Sequence, residues 1–186
     1  TGREQTLRRL ATAFAQSTAD GLTVHELAGL GGVGKTQTAI EYCYRHFGSA
    51  PRAEQPSDAE AALSYGLVVW LRAESEEVLA ADLRALAIDS GIGVQGLRNE
   101  EVVDEVRARL YRSSIPWLLV FDNSSSMARV QAHLPRGCRA AGHVLVTSRA
   151  HSDAGTPQLL PCFDAEESMQ MLRVAGGEHL GVDELY

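Results

Sequence analysis

The chain has 186 residues, 45% of them apolar and 22% charged, a globular composition long enough to bury a core without disulfide staples. Extended disorder is excluded, and so is a membrane span, because the longest apolar run, around Trp117 to Phe121, is far too short. A net charge of −7 argues against direct nucleic-acid binding, which needs a basic face.

In chain order, Thr1 with Glu4 forms a candidate capping box. Leu7, Leu10, Ala11 and Phe14 follow at helical spacing, predicting a helix that stops before Asp20-Gly21. Residues 23–28 read as a strand running into a glycine-rich turn, and a helix is expected from Lys35 to about Phe47. Residues 48–64, with Pro51, Pro56 and scattered charge, read as a surface insertion. Gly66 to Leu71 is a continuous apolar run, expected as a strand buried on both faces. Ser75 is placed to cap a helix to about Ile88, and Asn99 another ending near Arg112. Trp117 to Phe121 and His143 to Thr147 are further buried strands, with a fourth candidate at Gln158 to Cys162. Asp164 with Glu167 opens a last helix.

Strands alternating with helices predict an α/β fold: a three-layer, mainly parallel sheet with helices on both faces. The expected division is an N-terminal helix over 1–20, a nucleotide-binding core over 21–163 and the start of a following helical region over 164–186. A chain that starts at Thr1 without Met and stops at Tyr186 reads as part of a larger protein. Cys43, Cys138 and Cys162 are odd in number and lack CxxC spacing. Free thiols in a reducing cytoplasm are therefore expected rather than a metal site.

Sixteen of the seventeen basic residues are Arg; the single Lys is Lys35. It lies in Gly29-Leu30-Gly31-Gly32-Val33-Gly34-Lys35-Thr36, a full match to the phosphate-binding pattern GxxxxGK[ST]. Gly29, Gly31, Gly32, Val33 and Gly34 let the backbone curl so that amides through Lys35, Thr36 and Gln37 point at phosphate oxygens. Lys35 supplies a compact charge for the outer phosphates, a task for which the planar fork of Arg is a poor substitute. The Thr36 hydroxyl is a Mg²⁺ ligand in this pattern.

Trp117 to Asp122 is an apolar strand ending in a carboxylate, the layout that delivers an acid beside the metal, so Asp122 is the second metal residue. A neighbouring acid would activate water, but the next residue is Asn123, which can hydrogen-bond a water without taking its proton. Slow hydrolysis is expected. Val144 to Arg149 is a strand ending in a cation, and Arg149 could sense the γ-phosphate through a charge-assisted bond.

This ordered set resembles the NB-ARC class of STAND ATPases, the switches of plant immune receptors, apoptotic scaffolds and bacterial multidomain regulators. The matching residues are Gly2-Arg3-Glu4, the loop at 29–36, Val69-Trp70-Leu71, Leu118 to Asn123, Thr147-Ser148-Arg149 and the stretch from Leu159 to Leu172. The resemblance implies a P-loop NTPase sheet of order 2-3-4-1-5 with the loop strand inside it, ATP/ADP and Mg²⁺ as cofactors, and Arg149 as the sensor. It places Gly2 and Arg3 near adenine and ribose. It also implies regulatory domains outside this fragment and a homo-oligomer on activation. The rivals are a working P-loop enzyme and a scaffold without hydrolysis. An ABC ATPase would need an LSGGQ-like signature and a GTPase an NKxD loop; neither is present. His25, Trp70, Trp117 and Cys43 are read as structural, and the acidic stretch 74–84 as a solvated helix face.

Overall fold

The computed structural model describes residues 3–16, 21–48, 63–149 and 158–162. Its elements are α1 (Glu4–Ala15), β1 (Leu22–Ala28), α2 (Lys35–His46), β2 (Leu67–Arg72), α3 (Glu76–Asp89), α4 (Asn99–Arg112), β3 (Trp117–Ser124), α5 (Met127–Gln131), β4 (Gly142–Ser148) and β5 (Gln158–Leu159). The five strands form one sheet in the order β2-β3-β4-β1-β5, and every pairing is parallel. The expected α/β class and strand order are both present, with β1 inside the sheet between β4 and β5.

Period-2 alternation divides the strand side chains between two cores. Val69, Leu71, Trp117, Leu119, Phe121, Val144 and Val146 meet the apolar stripes of α3 and α4 on one face. Leu27, Leu118, Val120 and Leu145 meet Leu7, Leu10, Ala11 and Phe14 of α1 and Ala39 and Tyr42 of α2 on the other. Helices thus cover both faces, and β1, β3 and β4 all end on the side where α2 begins.

Four local readings need correction. The first helix begins at Glu4, with Arg3 at its N-cap in a left-handed conformation (φ 99°) and no side-chain cap. A box from position 1 would require a start two residues earlier. Glu4 instead accepts a forked bond from Arg45, at 2.7 and 2.6 Å. The N-cap of α4 is Arg98, not Asn99: Glu101 accepts the Arg98 backbone N–H at 2.7 Å, while Asn99 accepts from Arg84 at 3.2 Å. β2 is an edge strand, so it is not buried on both faces. Val68 and Trp70 are only half-buried, and with Ile40, Cys43, Tyr44 and Phe47 they line an apolar groove. β5 is two residues long, shorter than expected. Ser75 does cap α3, accepting from Val78 N–H at 3.3 Å. Most of the 48–64 insertion and the helix proposed after Asp164 lie outside the described residues.

Beneath α1 the sheet carries a buried polar pair. His143, 1% exposed, stacks on Phe14, and its Nδ1 lies 2.6 Å from the Tyr65 hydroxyl. Burial first, and the charge of His25 second, push His143 down to about 4. The native imidazole therefore stays neutral while the unfolded chain takes up a proton below about 6.5. Stability is complete above that value and falls by about 1.4 kcal/mol per pH unit as pH drops toward 4. Urea midpoints compared at pH 7 and 5.5 check this. An acid loss of the same size in His143→Gln would contradict it.

Candidate functional site

The loop between β1 and α2 is shaped by its glycines. Gly34, the N-cap of α2, has φ 95°, a conformation most side chains resist. At Gly29 a Cβ would lie 2.9 Å from the Leu160 carbonyl oxygen, so the loop's first residue can sit against the end of β5 only as glycine. Lys35 opens α2 and is buried, its Nζ donating to the Gly29 and Leu30 carbonyls at 2.9 and 2.8 Å. Burial, then the charge of Arg149, lower its pKa, while Asp122 opposes them. The ammonium is thus held over the curl of the loop, where the first amides of α2 have no intrahelical partner. This arrangement of a cation and unpaired N–H groups fits an anionic phosphate chain.

Asp122 stands opposite. Its Oδ1 accepts from the Thr36 hydroxyl at 2.9 Å and from the Thr147 hydroxyl at 2.6 Å. Thr147 in turn accepts the Asn123 N–H at 2.8 Å. A register shift between β3 and β4 falls between Phe121 and Ser124, and Asn123 has φ 60°. The shift sets Asp122 and Asn123 against Thr147 alone, a bulge that re-aims the side chains at a strand end. Asn is among the few residues that tolerate such a φ. On the other face of β4, Ser148 donates to buried Glu26 of β1, so both hydroxyls preceding Arg149 anchor the strand end.

One cleft of about 520 Å³ joins these groups: Gly31, Gly32, Gly34, Lys35, Thr36, Gln37, Asp122, Asn123, Thr147 and Arg149, together with Arg72 and Glu74 of the β2 end. Gly29 and Val33 support the loop from behind, Val33 by accepting at 3.1 Å from Nη2 of Arg3. Arg3 is itself buried. Gly2 lies outside the described residues. Thr36 and Asp122 are the pair that could hold Mg²⁺; the ion usually keeps several waters and takes its other ligands from phosphates. Among the described residues no group of three or more His, Cys, Asp or Glu could hold a metal, and no helix is long and apolar enough to cross a membrane.

The reading of the 74–84 stretch as a solvated helix face changes at two residues. Glu74 precedes α3 and lines the cleft; Asp82 grips Arg72 through its backbone N–H and guanidinium at 2.9, 3.1 and 2.6 Å. Thr147 and Glu74 were both missed as cleft residues. Thr147 lies two residues before Arg149, so its place on an odd-numbered α2-facing position of β4, in step with Leu145, was open to strand parity. Nothing local marks Glu74, because only the β2–β3 pairing carries it to Asp122. Cys43 is half-buried, and burial pushes its thiol up to about 11.

No family model matches the chain. It is 33% identical to the regulatory protein AfsR of Streptomyces griseus, over 98% of the chain but 18% of that protein. It is 32% identical to the regulatory protein AfsR of Streptomyces coelicolor, over 80% of the chain and 14% of that protein. The chain thus spans less than a fifth of the length of the curated relatives it matches, and what it is similar to is a segment of bacterial regulatory proteins.

Proposed function

We propose that the chain is the ATP/ADP-binding switch of an NB-ARC-type regulatory protein acting in the cytoplasm. Its loop holds the phosphates, Thr36 and Asp122 hold Mg²⁺, and Arg149 distinguishes a triphosphate from a diphosphate. Slow hydrolysis returns the ATP state to ADP, and regulatory domains outside the fragment read the difference through homo-oligomer assembly. The observation that carries the reading is the convergence of Lys35, the Thr36–Asp122 pair, Thr147 and Arg149 on one cleft. The similarity to regulatory proteins supports the signalling role, and the net charge of −7 favours a nucleotide ligand over direct nucleic-acid contact.

A switch needs differential affinity, since a ligand that binds both states equally shifts nothing. Arg149→Ala is expected to weaken Mg-ATP binding about tenfold, the scale of one charge-assisted bond, and to change ADP binding less than twofold. Titration calorimetry with each nucleotide checks this; an equal loss for both would remove Arg149 as the sensor. A second reading, a working P-loop enzyme, is favoured by the acid Glu74 in the cleft. Turnover above about 1 per second, in the ordinary enzyme range, would select it.

A further inference from the structure

We propose that Glu74 is the general base for triphosphate hydrolysis, taking the place of the acid that Asn123 does not supply. The inference rests on the nucleotide-binding reading above and extends it to the chemical step.

Asp122 and Glu74 are the two carboxylates in the cleft lining. Asp122 is engaged, with one oxygen accepting from both Thr36 and Thr147, which suits it to positioning a metal rather than collecting protons. Asn123 cannot accept a proton from water. Glu74 differs from both. It is exposed and makes no hydrogen bond or ion pair with any described residue. Arg72, the neighbouring cation, gives its forked hydrogen bonds to Asp82 and acts on Glu74 only as a nearby charge.

The backbone explains why this acid reaches the cleft. Arg72 pairs in register with Asp122, and the Ala73 N–H donates to the Asp122 carbonyl at 2.8 Å. Ser75, immediately after, is fixed as the N-cap of α3. Glu74 hangs between two anchored residues, one position beyond the last β2–β3 bond, at the sheet end where the loop and Arg149 also lie.

In the step, the oxygen of a water attacks the γ-phosphorus of the bound nucleoside triphosphate. An O–P bond forms as the bond from phosphorus to the β–γ bridging oxygen breaks, and that electron pair leaves with the nucleoside diphosphate. Glu74 takes the water's proton and returns it to the released phosphate. An acid at an open, solvated lip lacks the pre-organisation of one set beside the metal, which accords with slow turnover.

The test is single-turnover hydrolysis of Mg-ATP by the 186-residue chain, with ATP affinity measured alongside. Glu74→Gln should slow hydrolysis at least tenfold and keep the Kd within twofold. Glu105→Gln, which removes an exposed acid from α4, should change neither. Wild-type hydrolysis in Glu74→Gln would overturn the inference and leave the binding reading standing. Nucleotide binding without any hydrolysis by the wild-type chain would also overturn it. A wild-type chain that binds no nucleotide would instead overturn the reading on which it rests.

Discussion

Replacing Lys35 with Ala is expected to weaken Mg-ATP and Mg-ADP binding about a hundredfold while the chain stays folded. A hundredfold change is about 2.7 kcal/mol, within the range of about 1.5–3 kcal/mol for a hydrogen bond to a charged group. The ammonium already sits within the loop, on the Gly29 and Leu30 carbonyls, so bound phosphate would meet a charge held in place. Alanine removes that charge and little packing, because α2 is anchored further along by Ala39 and Tyr42. Lys35→Arg should also bind poorly, since a planar fork cannot reproduce a point charge in so tight a curl. Titration calorimetry measures the loss and a urea midpoint verifies folding. A folded Lys35→Ala chain with a Kd within threefold of wild type would contradict the assignment.

The largest expected effect on stability comes from Trp117→Ala, about 3–5 kcal/mol. Trp117 opens β3, has no exposed surface, and donates its indole N–H to the Leu110 carbonyl at 3.2 Å. Its ring fills the space that Gly142 of β4 leaves open; a methyl group at Gly142 would overlap the indole. Truncation empties a cavity where α4 meets the sheet and leaves the Leu110 carbonyl without that donor. A urea midpoint that falls steeply at unchanged slope is the expected signature. A loss below about 1 kcal/mol would show that the α4–sheet core collapses to fill the void.

Most of the elements were legible because their determinants are local, whereas the sheet order came from the family resemblance. Leu118 to Phe121 and Val144 to Val146 are runs that suit doubly buried strands, and the glycines of the loop mark where strand gives way to helix. The same apolar signal misled at β2. Burial of Val68 and Trp70 depends on a neighbour that the edge position does not provide. Caps failed where tertiary partners intervened: Arg45 draws Glu4 toward α2, and Arg84 engages Asn99. Within the site, Lys35, Thr36, Asp122 and Arg149 could be read from spacing and come together in one cleft. The bulge at Asn123 and the approach of Glu74 could not, because both arise from register between strands far apart in sequence.

A calorimetric titration of the wild-type chain with Mg-ATP and Mg-ADP tests the central proposition most directly. The account predicts saturable one-to-one binding of both, with nucleotide at 100-fold over its Kd adding about 2.7 kcal/mol of stability. No heat and no thermal shift with any adenine nucleotide at millimolar concentration would contradict it.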